Sequence, residues 1–160
     1  MVKNIAPHGG KLVYRIVSME EREVLLDKAT HYDMKKIQLN SREMSDIDMI
    51  AVGAMSPLEG FMCKADYDSV LDNMRLSNGL PWSIPIALSA TKEETEGLKP
   101  GKDIALVDQA NEVIAILHLE EIFHHDKHKE SLEVYGVDDR KHPGVDYVYN
   151  MGEYLLGGKV

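Results

Sequence analysis

The sequence contains little cysteine and no long apolar run. Cys63 is the only cysteine among 160 residues, so an intramolecular disulfide and a four-thiolate metal site are both excluded. The longest apolar run, residues 113–117, is far too short to form a helix that crosses a bilayer. We therefore expect a protein of the reducing cytoplasm, with neither a membrane anchor nor an export signal.

Basic residues are fewer than acidic ones. The chain has 18 Lys and Arg residues against 27 Asp and Glu residues, which gives a formal net charge of −9 at pH 7. A net negative charge repels polyanions. The basic residues are spread among acidic ones and form no stripe that could follow a phosphate backbone. The charge pattern therefore argues against nucleic acid as a partner.

The composition and length are those of one globular unit. Hydrophobic residues make up 44% of the chain and charged residues 28%, which is ordinary globular usage. The sequence shows no period of 20 to 50 residues and no low-complexity segment. We therefore predict a single domain that spans residues 1–160.

Helical patterns dominate the first half of the chain. Ser18 and Glu21 form an S-x-x-E capping box ahead of good helix formers. Ser41 is placed to cap a second helix, which Gly53 should end. Apolar residues at helical spacing predict the buried faces of these two helices and of a third over residues 64–75: Leu25, Leu26 and Ala29; Ile47, Ile50, Ala51 and Ala54; Tyr67, Val70, Leu71 and Met74.

Strand patterns follow in the second half. Short apolar runs predict strands at residues 84–88, 104–107, 113–119, 147–149 and 154–156. Asp126 is placed to cap a short helix that ends near Gly136. Isolated helices and short strands without a βαβαβ rhythm indicate an α+β domain. We expect a small mixed-strand barrel with helices packed outside it.

One segment has an unusually specific composition. Residues 41–62, SREMSDIDMIAVGAMSPLEGFM, place Arg42, Asp46, Ile50, Gly53, Ser56, Pro57, Leu58, Gly60 and Phe61 in the register of a pattern found in ATP sulfurylases, the sulfate adenylyltransferases. The chain departs mildly from that pattern at Ser45, Asp48 and Met55. Residues 7–13, 142–145 and 152–159 extend the similarity over essentially the whole chain. The sequence therefore resembles the N-terminal domain of that family.

The resemblance implies a fold and a role. The fold would be PUA-like, a small mixed-strand pseudo-barrel with flanking helices, which agrees with the pattern analysis. The family joins ATP and sulfate, with magnesium, to give adenosine 5′-phosphosulfate and pyrophosphate. Its catalytic motif, Gln-x-Arg-Asn-Pro-x-His-x-x-His, lies in a nucleotide-binding domain that follows this one. The resemblance thus implies a catalytic-domain partner, a possible homo-oligomer, and ATP and Mg²⁺ as cofactors of the full enzyme.

No Arg-Asn-Pro sequence occurs in this chain. Nucleotidyl transfer depends on cations and hydrogen-bond donors positioned around the phosphates, and this acidic chain also lacks a Walker loop. We therefore expect no catalytic, cofactor-binding or metal-binding residues in this chain. Its role would be to brace the catalytic domain.

The signature residues allow two interpretations. Arg42, Asp46, Gly53, Ser56, Pro57, Leu58, Gly60 and Phe61 could form a structural or interdomain signature. In the first interpretation the segment is a rigid turn, with Phe61 in the core and Arg42 paired with Asp46 at i, i+4 spacing. In the second, the segment touches the partner domain or substrate.

Three other features suggest chemistry only weakly. His125 and His128 have an H-x-x-H spacing, but their flanks favour a solvated loop or helix start over a metal site. Gly9-Gly10-Lys11 lacks the remaining residues of a phosphate loop. Cys63 has no nearby base in sequence to activate it. A PUA-like module that binds RNA or a protein, and a small histidine-loop metal protein, remain the competing hypotheses.

Overall fold

The computed structural model describes residues 5–31 and 34–160. A 3₁₀ turn, His8–Gly10, precedes the regular elements. In chain order these elements are α1 (Met19–His31), β1 (Lys36–Gln38), α2 (Ser41–Ala51), β2 (Gly60–Phe61), α3 (Lys64–Asn73), β3 (Leu88–Ala90), α4 (Lys92–Thr95), β4 (Asp103–Val107), β5 (Val113–His124), α5 (Lys127–Tyr135), α6 (Pro143–Asn150) and β6 (Tyr154–Lys159). The predicted α+β class is confirmed.

The described strands form one mixed sheet of six strands. Its order is β1-β4-β5-β6-β2, and β3 pairs with β6 off this path. Strands β1 and β4 run parallel, with Ile37 opposite Leu106. The β4–β5 pair is an antiparallel hairpin, and β6 is antiparallel to both β2 and β3. The sequence predicted a small mixed-strand pseudo-barrel with flanking helices, and the mixed strands and the helices are confirmed.

The chain divides into two compact units. Unit 1 comprises the described residues up to Phe61, together with Lys102–His118 and Gly158–Val160. Unit 2 comprises Met62–Gly101 and Leu119–Gly157. Strands β5 and β6 therefore each contribute residues to both units.

Unit 1 contains α1, α2 and the β1–β4 pair. The helices start at capping boxes, in which two side chains satisfy backbone N–H groups that the helix leaves open. Ser18 and Glu21 exchange these bonds at α1. Asn40 and Glu43 do so at α2, so the predicted cap at Ser41 is wrong by one residue. The core of this unit includes these buried aliphatic residues: Ile37, Leu39, Ile47, Ile50, Ile104 and Leu106.

Unit 2 contains helices α3 to α6 and strand β3. Helix α5 packs against both α3 and α6. Its N-terminus is capped by Asp126, whose side chain accepts from Lys129 N–H, and it ends at Gly136 in the left-handed conformation, as the sequence predicted. The buried apolar residues of this unit include Val70, Leu71, Leu88, Phe123, Val145, Val148, Leu155 and Leu156.

Two predicted strands and the predicted burial of Ala54 and Met74 are wrong. Ala54 lies beyond the end of α2 and is exposed. Residues 84–87 form no strand, and β3 instead begins at Leu88. Residues 147–149 lie in α6, which begins at Pro143 behind a His142 cap, because proline suits the first turn of a helix. Met74 is not on a buried face: it adopts φ 52° at the end of α3 and its side chain is exposed.

Candidate functional site

The signature segment forms a turn, here defined as residues 53–61, within unit 1. Helix α2 ends at Ala51, and Gly53 follows with φ +81°. A Cβ on Gly53 would lie 2.6 Å from the Val13 carbonyl oxygen. Only glycine combines this conformation with so close an approach to another backbone segment.

Ser56 joins this turn to the N-terminal segment. Its hydroxyl donates to the Gly53 carbonyl at 2.6 Å and accepts from Val13 N–H at 2.9 Å. Two residues later, Arg15 N–H donates to the Ala51 carbonyl at 3.0 Å. The chain from Val13 to Arg15, which has no regular secondary structure, is therefore fastened by the turn and by the end of α2.

The second half of the turn packs inward. The Ser56–Pro57 peptide bond is cis, and Leu58 and Phe61 are buried. Gly60 pairs with Lys159 of β6, and a Cβ on Gly60 would lie 2.1 Å from the Gly158 carbonyl oxygen. These contacts are those of a rigid turn.

Arg42 and Asp46 lie one helical turn apart on α2. Burial raises the pKa of the Asp46 carboxyl, while the positive charge of Arg42 acts in the opposite direction. Arg42 is exposed and Asp46 is half-buried. The two side chains therefore influence each other within unit 1.

A cleft of about 500 Å³ lies beside the fastened segment. Its walls come entirely from unit 1. They consist of residues 14–17, Glu21, Arg22, Leu25, Leu26, Ile47, Ala51, residues 113–116, His118 and Val160. None of these is a signature residue, so the turn supports a wall of the cleft and does not line it.

Several apolar residues of the cleft are exposed. Tyr14 is 59% exposed, Ile16 51% and Ile114 41%. Single exposed apolar residues are common, but a contiguous group of them marks an interaction surface. The sequence analysis missed this cleft, although the apolar residues around Arg15 were a usable signal.

Three polar side chains of the cleft are already engaged. The Arg15 side chain donates from Nε to the Val160 carbonyl and lies 4.0 Å from a Glu59 oxygen. Glu21 belongs to the α1 capping box. His118 Nδ1 lies 2.6 Å from an Asp103 oxygen. Arg22 and Tyr14 also line the cleft, and Arg22 is exposed.

The histidines of residues 124–128 point to separate partners. His125 is buried, with Nε2 2.8 Å from Glu130 Oε2 and Nδ1 3.3 Å from the Gly152 carbonyl oxygen. His128 Nδ1 lies 2.6 Å from an Asp138 oxygen, and the His124 ring packs edge-on against Tyr154. Within residues 5–31 and 34–160, no three His, Cys, Asp or Glu side chains are grouped so that they could hold a metal ion.

His125 belongs to a buried polar cluster in unit 2. The Tyr67 hydroxyl donates to the same Glu130 oxygen at 2.6 Å. Burial, followed by the charge and hydrogen bond of Glu130, raises the pKa of Tyr67. The cluster links α3 to α5, which is a structural role.

The two remaining weak motifs also have ordinary surroundings. Burial, and then the nearby Glu120 and Glu121 carboxylates, raise the pKa of the Cys63 thiol to about 11. A thiol with so high a pKa is a poor nucleophile at neutral pH. Gly9 and Gly10 lie in the exposed 3₁₀ turn, where Gly10 N–H donates to the Pro7 carbonyl.

The helices are short. Over the part of the chain that the structure describes, none combines the length and the apolar composition that crossing a bilayer requires.

Comparison with known proteins identifies the domain. The family model of the PUA-like domain matches residues 5–160. The chain belongs to this family. The resemblance seen in the sequence is confirmed by curated proteins named sulfate adenylyltransferase: the Nostoc punctiforme protein is 48% identical over 156 residues, 98% of this chain and 39% of that protein. The Synechococcus elongatus protein is 45% identical over 160 residues, 100% of this chain and 40% of its own length.

A solved structure agrees with the fold. The hexameric APS kinase from Thiobacillus denitrificans superimposes with a TM-score of 0.70 and 26% sequence identity, over 98% of this chain and 26% of that one. The chain spans about two fifths of the length of the curated relatives it matches.

Proposed function

We propose that this chain is the non-catalytic N-terminal domain of a sulfate adenylyltransferase, the enzyme that makes adenosine 5′-phosphosulfate and pyrophosphate from ATP and sulfate. The observation that carries the proposal is the unequal coverage. Sulfate adenylyltransferases match 98% to 100% of this chain, yet the chain covers only 39% to 40% of them. The larger remainder of the enzyme would hold ATP, Mg²⁺ and the catalytic motif.

The arrangement of the signature residues supports a scaffolding role. Gly53 and Gly60 lie closer to neighbouring backbone segments than a Cβ would allow, and the Ser56 hydroxyl bonds to the Val13 N–H. Such contacts order a surface and supply no nucleophile, acid or base. The signature turn therefore shapes unit 1, and the surface that unit 1 presents would brace the catalytic domain.

The partners follow from the same argument. The catalytic domain of the enzyme is the first proposed partner. A relative of this fold is named as a hexamer, which supports homo-oligomerisation of the full enzyme as a second proposal.

The experiment is an assay of the isolated 160-residue protein with ATP, Mg²⁺ and sulfate, in which the sulfonucleotide product is separated and quantified. The Nostoc punctiforme enzyme serves as the positive control, and circular dichroism verifies that the isolated chain is folded. We expect no product above the enzyme-free blank. Sulfate-dependent product formation by the isolated chain would overturn the non-catalytic role.

A further inference from the structure

The end of strand β6 brings Val160 to the cleft of unit 1. Val160 N–H donates to the Glu59 carbonyl at 3.0 Å, and its own carbonyl accepts from the Arg15 side chain. Val160 also forms part of the cleft wall. Polypeptide that continued beyond this position would therefore start at the cleft.

The cleft is suited to an apolar occupant. Leu25 and Leu26 of α1 face it together with Ile47 of α2 and the exposed Ile114 of β5. Among the charged and titratable residues of the lining, Arg15, Glu21 and His118 already have partners, and Arg22 is exposed at the cleft. Filling an apolar cleft with apolar side chains is favourable in proportion to the area removed from water.

We propose that this cleft seats an apolar segment of the catalytic domain, namely the stretch that follows the position of Val160 in the full-length enzyme. The inference rests on the proposed function. About three fifths of each curated relative lies outside the region matched by this chain, and the proposed segment would belong to that part. Covalent attachment gives it a high effective concentration at the cleft, which favours it over a separate partner.

The test uses a hybrid enzyme, in which this chain replaces the matched 156 residues of the Nostoc punctiforme protein. A photo-crosslinking residue, p-benzoylphenylalanine, is placed at Tyr14 in the cleft. The control carries it at Leu132 on α5 in unit 2, which is 41% exposed. Mass spectrometry then identifies the crosslinked peptides.

We expect the Tyr14 probe to crosslink within its own chain to the segment that follows Val160, and the Leu132 probe not to reach that segment. A Tyr14 crosslink to a second copy, or to no protein segment at all, overturns the inference. The sulfonucleotide-forming activity of the hybrid separates the two claims. If the hybrid is active but shows no crosslink, only the cleft proposal is contradicted. If the hybrid is folded but inactive, both the proposed function and the cleft proposal are contradicted.

A second measurement does not depend on photochemistry. Ile16→Asp places a charge in the cleft at an exposed position, so it should leave the unfolding temperature of the isolated chain nearly unchanged. In the hybrid the same variant should lower the unfolding temperature by about 2–4 °C, because the charge would then be buried against the docked segment. Leu132→Asp is the matched control. Equal effects of Ile16→Asp on the hybrid and on the isolated chain contradict the proposal.

Discussion

Val13 and Ser56 lie 43 positions apart in the sequence and are joined by a buried hydrogen bond of 2.9 Å from the Val13 N–H to the Ser56 hydroxyl oxygen. This bond ties the segment that forms one wall of the cleft to the turn that carries the family resemblance. The turn thus holds the backbone of residues 13–15 in place, and this backbone leads into a wall of the cleft.

Ser56→Ala tests this relationship. The substitution leaves Val13 N–H buried without its acceptor, which costs about 1–3 kcal/mol. We expect urea unfolding of the isolated chain to show that loss. Ser45→Ala is the control, because the Ser45 hydroxyl bonds to the Ser41 carbonyl on the exposed face of α2. That change should stay within about 0.5 kcal/mol. Equal losses in the two variants would contradict the role given to Ser56.

Gly60→Ala tests the close approach of β2 and β6. The added Cβ would lie 2.1 Å from the Gly158 carbonyl oxygen, so the two strands must separate. Gly79→Ala is the control, since Gly79 has φ +89° and open space around the added atom. Its cost is the left-handed conformation alone, about 1–2 kcal/mol. We expect a larger loss of unfolding free energy at Gly60, and a smaller one would show that the strands are not held this closely.

Tyr67→Phe removes one donor from the buried cluster of unit 2. The Glu130 carboxylate then loses its hydrogen bond from the Tyr67 hydroxyl, and we expect about 1–3 kcal/mol less stability at pH 7. Tyr149→Phe is the control, because the Tyr149 hydroxyl bonds to Asp138 at the exposed surface, and it should have no measurable effect. If Tyr149→Phe lowered the unfolding free energy as much as Tyr67→Phe, burial would not explain the effect of the Tyr67 hydrogen bond.

Tyr67→Phe should also change the pH dependence of stability at alkaline pH. Folding raises the pKa of Tyr67 above its ordinary value of 10.0, so the unfolded chain releases this proton first as the pH rises. Stability should therefore be complete below pH 10 and fall above it, with a slope that approaches about 1.4 kcal/mol per pH unit from this one group. Tyr67→Phe should remove that slope in a comparison of urea unfolding at pH 9 and 11. If the unfolding free energy of the wild type and of Tyr67→Phe depended on pH in the same way, the raised pKa of Tyr67 would be contradicted.

The reactivity of Cys63 gives an independent test of unit 2. A pKa of about 11, against an ordinary value of 9.0, lowers the thiolate population at pH 8 by about 100-fold. We expect iodoacetamide to alkylate the single thiol roughly 10- to 100-fold more slowly than a free thiol. Glu120→Gln should increase the rate, because it removes a negative charge beside the sulfur. Glu112→Gln, in unit 1, should leave the rate unchanged, and equal rates in the two variants would count against the carboxylate's influence.

Local signals in the sequence were sufficient for several elements. The Ser18–Glu21 pair marks the start of α1, and Asp126 and Gly136 mark the two ends of α5, because caps are decided by residues close in sequence. The strand predicted at residues 147–149 is instead part of α6, because proline at a first helical position, here Pro143, also starts helices. Met74 had the right spacing for a buried face, but the helix ends there in a left-handed residue, which periodicity cannot show.

The cleft could not be predicted in the same way. Its walls come from residues 14–26, 47–51, 113–118 and Val160, which are brought together only by the fold. The signature residues themselves were identifiable by pattern. In the structure, Phe61 is buried and Gly60 pairs with a neighbouring strand. What the pattern lacked was the partner of each residue, such as the bond between Ser56 and Val13.

The central claim is that this chain supplies the supporting domain of a sulfate adenylyltransferase. The most direct measurement is the sulfate-dependent release of pyrophosphate from ATP by the hybrid enzyme, compared with the Nostoc punctiforme protein from which the matched 156 residues have been deleted. We predict that the hybrid retains activity within about tenfold of the intact Nostoc enzyme, a loss of about 1.4 kcal/mol or less in transition-state stabilisation, and that the deleted protein is inactive. An inactive hybrid that is folded, or a deleted protein as active as the hybrid, would contradict the account.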